Sequence, residues 1–214
     1  MKKVQIYGER CSGTNYLEQL LITNFDVEIV CNYGHKHFFG FNDLSGADDV
    51  LFIGIIRNLV DWVNSLYRMP YHIPHRLNNI DSFLNDEFFS IHPDGTINEK
   101  DVHLETKEIY KNIFELRYVK NKFLVENMPT LVKNYKLITY DNLTDDFVNV
   151  MNQLRDYGLV AKPCFPMNIG YYKAERNTPF IKKKNQIPTE LILHHWALLC
   201  ATLEVPNQHH LCHS

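Results

Sequence analysis

The chain has no run of about 20 apolar residues of the kind that crosses a bilayer, and Lys2 and Lys3 lead straight into an apolar segment rather than a signal-peptide core. The expectation is a cytoplasmic protein with no membrane insertion. Excess basic charge is also lacking. With a formal net charge of −3 and a pI near 6.4, a broad nucleic-acid or anionic-membrane surface is excluded, so any anion site must be local. The five cysteines form no CxxC pair and no even disulfide framework, which fits a reducing compartment. No Gly/Ser-rich linker, internal repeat or low-complexity tract divides the sequence. Residues 1–214 therefore read as a single domain, long enough for one sizeable core.

What is present is a series of short apolar runs separated by helix-like or loop segments. Val4–Tyr7, Val27–Cys31, Val50–Ile56 and Tyr135–Tyr140 read as buried strands, and their spacing predicts an α/β fold with a central parallel sheet. Leu17, Leu20, Leu21 and Asn24 set a first helix. Phe147, Val150, Met151 and Leu154 set another, with Thr144 as its N-cap. Glu105 to Asn127 reads as one long helix ended by Pro129. Residues 69–103, rich in proline, histidine and turn pairs, read as a loop-rich insertion with a short helix near Phe83–Phe89.

The first strand ends in Gly8-Glu-Arg-Cys-Ser-Gly13-Thr14 and a helix follows at once. Strand, turn and helix in that order leave backbone N–H groups at a helix N-terminus, which suits phosphate or sulfate oxygens. The glycine spacing is that of a Walker loop, but Thr14-Asn15 stands where Lys-Ser or Lys-Thr would reach the β/γ-phosphates and magnesium. A P-loop kinase acting on a small molecule is accordingly a poor fit. A second segment, Phe52 to Arg68, puts Arg57 at the end of a strand and Ser65 eight residues on, in a helix from Asp61 to Tyr67. A forked Arg and a hydroxyl at such a strand end can meet one oxyanion. Two anion sites on strand ends imply a ligand with two separated phosphates.

These two segments together resemble the 5′-phosphosulfate loop and the 3′-phosphate motif of sulfotransferases that use 3′-phosphoadenosine 5′-phosphosulfate (PAPS). "LITYDNLTDDFVNVMNQLRDYGL" is similar to a later strand and helix of that family, and "HFF" at His37 to Phe39 resembles the base-bearing segment of its heparan-sulfate type. The resemblance spans roughly two thirds of the chain. It implies a three-layer fold with a P-loop-like phosphate-binding turn, in which Ser12, Gly13, Thr14 and Asn15 hold the 5′-phosphate and sulfonate while Arg57 and Ser65 hold the 3′-phosphate. Lys182, Lys183 and Lys184, ahead of a terminal helix, correspond to the family's basic segment over that phosphate. The implied activity is sulfonate transfer to a hydroxyl or amine of a small-molecule or carbohydrate acceptor, without a metal.

One position departs from the family. Cys11 stands where a lysine usually assists the leaving group, so Arg10 or Lys36 must supply that charge, or the chain is a catalytically impaired nucleotide-binding protein. The proton acceptor comes from His35-Lys36-His37 just after the second strand, where His37 matches the family's histidine and His35 its glutamate. Glu9 is a third candidate base, although a carboxylate beside the sulfonate would be repulsive. The histidines near the C-terminus lack a metal-ligand spacing.

Overall fold

The computed structural model describes residues 2–170 and 184–203. In chain order the elements are β1 (Lys3–Gly8), α1 (Thr14–Asn24), β2 (Glu28–Val30), β3 (Val50–Ile56), α2 (Leu59–Arg68), α3 (Ile80–Asn85) and α4 (Ile113–Lys122). A π-helical turn (Phe123–Asn127) then precedes α5 (Met128–Leu131), β4 (Tyr135–Thr139), α6 (Tyr140–Asp145), α7 (Phe147–Asp156) and α8 (Thr189–Thr202). The chain forms two compact units, Met1–Arg57 with Leu124–Lys183, and Asn58–Phe123 with Lys184–Ser214. Among the described residues no helix is long and apolar enough to cross a membrane.

The first unit is α/β. Its four strands are all parallel, in the order β2-β1-β3-β4. All seven residues of β3 are buried, as its Val/Leu/Ile composition demands of an interior strand. Gly54 in its middle makes room for a neighbour: a Cβ there would stand 2.1 Å from the hydroxyl of Tyr135, which donates to the Leu124 carbonyl at 2.7 Å. On α1, Leu17, Leu20 and Leu21 face inward at helical spacing and join Ile6, Ile53 and Met151 in one apolar cluster. Burying each such side chain contributes about 1.5–3 kcal/mol. Asn24 closes the helix, donating to the carbonyls of Leu20 at 2.9 Å and Met167 at 2.8 Å.

The second unit is helical. Asn58 caps α2 by accepting from Val60 N–H at 3.0 Å, and Leu59, Trp62, Val63 and Leu66 form the helix's buried stripe. The Arg117 guanidinium lies 5.0 Å over the Trp62 ring. Asn64 accepts from the N–H groups of Gln186 and Ile187, both at 2.8 Å, and so anchors the lead-in to α8. Lys120, Asp101 and Ser90 form a buried, mutually bonded group that ties residues 90–101 to α4.

Several boundaries differ from the sequence expectations. The long helix of residues 105–127 begins only at Ile113, because Asn112 accepts from the N–H groups of Phe114 and Glu115, both at 3.0 Å, and starts it there. Just before it, Tyr110 is drawn into an extended bridge with Phe88, which also keeps the short helix at Ile80–Asn85 from reaching Phe89. Pro129 does not end that helix. It sits in the first turn of α5, where a missing N–H costs nothing. Thr144 is not an N-cap: Thr139 starts α6 by accepting from Asn142 N–H at 3.0 Å, and Thr144 donates to the Asp141 carbonyl at 2.9 Å inside that helix. The second strand is trimmed to Glu28–Val30.

Candidate functional site

The parallel sheet brings the carboxyl ends of its four strands to one edge, and the chain leaving each of them carries polar residues. β1 runs into Glu9–Gly13 and α1, β2 into the loop with His35–His37, β3 into Arg57 and β4 into Tyr140. Crevices at such ends are the usual ligand positions of parallel α/β sheets.

The first loop is shaped by its glycines. A Cβ on Gly8 would meet Ile55 Cγ2, the Ile55 carbonyl and Ser12 Oγ, each at 2.7 Å, so only glycine lets the loop fold back on β3. Gly13, the residue preceding α1, has φ 101°, and Cys11 also adopts a left-handed conformation with φ 63°. Fully buried Ser12 turns both its N–H, at 3.2 Å, and its hydroxyl, at 2.7 Å, onto the Glu9 carbonyl, so it holds the turn together. Asn58, Asn79, Asn112 and Thr139 cap α2, α3, α4 and α6, whereas α1, like α5, α7 and α8, has no side-chain cap. The N–H groups of Gly13, Thr14 and Asn15 have no acceptor among the described residues. They form the positive end of the helix.

The second loop is pinned alongside β1. β2 pairs only as far as Gln5 with Val30, and beyond it the loop takes over the strand's edge. Gln5 donates to the Gly34 carbonyl at 3.2 Å, the Tyr7 hydroxyl donates to the Tyr33 carbonyl, and Gly8 N–H donates to the Lys36 carbonyl at 2.9 Å. Fully buried Phe39 stacks on Tyr7 with centroids 5.1 Å apart. Burial pushes the Tyr7 phenol well above its ordinary range, so it stays a donor.

This pinning fixes three side chains. Lys36 reaches over the first turn of α1, donating to Asn15 Oδ1 at 2.6 Å and to Glu18 Oε2 at 2.9 Å. His37 Nδ1 lies 2.7 Å from the Gly8 carbonyl. A carbonyl can only accept, so Nδ1 carries the proton and the lone pair of the neutral ring is on Nε2. His35 is the opposite case: its Nδ1 accepts from the His37 backbone N–H at 3.2 Å, which leaves the proton on Nε2. Burial pushes His37 down to about 3, with the neighbouring His35, Lys36 and Arg10 adding to the depression and the Gly8 hydrogen bond opposing it.

On the other side of the first loop, Arg57 donates through Nη1 to the Cys11 carbonyl at 3.2 Å, and its guanidinium lies 4.5 Å over the Tyr140 ring. Arg10, Cys11, Ser12, Gly13, Thr14, Asn15, His35, Lys36, His37 and Arg57 thus belong to one unit. Ser65, half-buried on α2, and exposed Lys184, whose carbonyl accepts from Arg68 at 3.3 Å, belong to the other. Lys182 and Lys183 lie outside the described residues. Glu9 is almost wholly buried. Sequence reasoning passed over Glu18, one turn beyond Asn15, and Tyr140, the first residue after β4. The chain matches no protein-family model and has no significant match among curated proteins.

Proposed function

We propose that this chain is a PAPS-dependent sulfotransferase of the cytoplasm, acting on a hydroxyl or amine acceptor, with a carbohydrate as the first class to try. The observation that carries the reading is the position of Lys36. Cys11 cannot supply the cation that the family keeps at its position, and Lys36 brings one to the first turn of the helix that follows, held by Asn15 and Glu18. The residues fit an anionic donor of that kind: acceptor-less N–H groups at the start of α1, a lysine over its first turn, and an arginine at the next strand end. In a three-layer arrangement of this type the Gly8–Gly13 segment serves as the P-loop-like phosphate-binding turn. The described cysteines, Cys11, Cys31, Cys164 and Cys200, are free thiols, as a reducing compartment requires.

PAPS, when bound, supplies an activated sulfonate and leaves as adenosine 3′,5′-bisphosphate. The N–H groups of Gly13, Thr14 and Asn15 and the ammonium of Lys36 stabilise charge on the 5′ side, and Arg57 holds the 3′-phosphate. His37 takes the acceptor's proton on Nε2. His35, with its proton on Nε2, is suited to donate a hydrogen bond instead. A base held near 3 is weak, but part of that depression comes from the charges of Lys36 and Arg10. Anion binding beside these cations offsets their charge and raises the basicity of His37 when donor is present.

The test is release of bisphosphate from PAPS over a panel of amino sugars and simple alcohols. The reading expects turnover that falls about 100-fold in His37→Asn. Binding of bisphosphate with no turnover on any acceptor would favour an impaired nucleotide-binding protein.

A further inference from the structure

The geometry points to Tyr140 as a positioning residue that holds Arg57 and the Gly13 turn in the arrangement an anion needs. The inference rests on the reading of that loop and Arg57 as anion-binding, and adds a residue with no part in it so far. Strand register puts Tyr140 there. β3 and β4 are paired up to Ile56 with Thr139, so the next residues on the two strands, Arg57 and Tyr140, leave the sheet side by side.

The half-buried Tyr140 ring then makes three contacts. It lies beneath the Arg57 guanidinium at 4.5 Å. It packs so closely on Gly13 that a Cβ there would fall 2.3 Å from its Cδ2 and 2.8 Å from its Cε2. It meets Tyr16 of α1 edge-on, with centroids 6.3 Å apart. One ring therefore braces both the residue that starts α1 and the cation beside it. A guanidinium held over an aromatic ring is fixed by its charge and its contact area, while its N–H groups are the ones that fork onto a phosphate. Arg57 meanwhile donates to the Cys11 carbonyl, so the ring, the arginine and the turn form one closed set of contacts. Without the ring, the long arginine side chain regains rotamer freedom that anion binding must then remove.

The experiment is a titration of adenosine 3′,5′-bisphosphate into Tyr140→Phe and Tyr140→Leu, alone and combined with Arg57→Ala, with thermal unfolding as the check on folding. Tyr140→Leu is expected to weaken binding about tenfold and Tyr140→Phe by less than about twofold, since the ring and not the hydroxyl makes the contact. In the Arg57→Ala background, Tyr140→Leu is expected to cost clearly less, about threefold at most, the remainder reporting the Gly13 contact. Equal loss from Tyr140→Leu in both backgrounds would overturn the inference, because the ring would then act independently of Arg57. Absence of bisphosphate binding in the unchanged protein would remove the nucleotide reading, and a second readout then decides on Tyr140. NMR relaxation of the Arg57 Nε–H in the ligand-free protein is expected to show order in the unchanged protein and Tyr140→Phe, and motion in Tyr140→Leu. Equal order in all three would overturn the positioning role.

Discussion

Replacing His37 with Asn removes a titrating ring but leaves an amide N–H able to reach the Gly8 carbonyl, which isolates the charge change from the hydrogen bond. In the folded protein His37 is pushed down to about 3 from an ordinary value of 6.5, chiefly by burial. Between those two values the unfolded chain takes up a proton that the folded chain refuses, so acid favours unfolding. The contribution is fully present above about pH 6.5 and is lost as the pH falls toward 3. At pH 5 the unfolded ring gains about 1.5 pH units' worth of proton binding, which at about 1.36 kcal/mol per unit is about 2 kcal/mol. Urea unfolding at pH 7 and pH 5 measures it. The unchanged protein should lose about 2 kcal/mol more than His37→Asn over that interval. Parallel losses in the two proteins, or a larger loss in the variant, would refute the placement of a neutral, half-buried His37 against Gly8.

Other substitutions probe the same site. Gly13→Ala forces a Cβ onto a φ of 101° and against the Tyr140 ring, and should destabilise by about 2–4 kcal/mol in denaturant titration while abolishing bisphosphate binding. Lys36→Met removes a cation whose ion pair with Glu18 is partly exposed, so stability should change by less than about 1 kcal/mol while bisphosphate affinity drops about tenfold or more, as calorimetry would show. Gly54→Ala drives a Cβ into the Tyr135 hydroxyl and should cost about 2–3 kcal/mol without altering the ligand preference, because it acts within the sheet.

Much of the first unit was legible in the sequence because its signals are local. Continuous apolar runs mark β1 and β3, and the leucine spacing of α1 marks its buried face, so the parallel sheet and the loop that opens α1 follow directly. Where the sequence misled, a competing local cap or a distant partner decided. Asn112 and the Phe88–Tyr110 bridge cut short a helix that periodicity extended to Glu105, and Pro129 marks the first turn of one helix as readily as the end of another. At the site the residues on the two loops were visible, but their pairings were not. Lys36 meets Glu18 across 18 residues and Arg57 meets Tyr140 only through strand register, and neither contact leaves a periodic trace. The division of roles between His35 and His37 depends on which backbone atom each ring faces, which only the folded loop defines.

The Gly8–Gly13 loop and Arg57 are proposed to recognise a nucleotide with separated 5′ and 3′ phosphates. The most direct test is isothermal titration of the unchanged protein with adenosine 3′,5′-bisphosphate and with ATP, each with and without magnesium. Bisphosphate is expected to bind at least about tenfold more tightly than ATP, with magnesium making no difference. Tighter, magnesium-dependent binding of ATP would contradict that recognition.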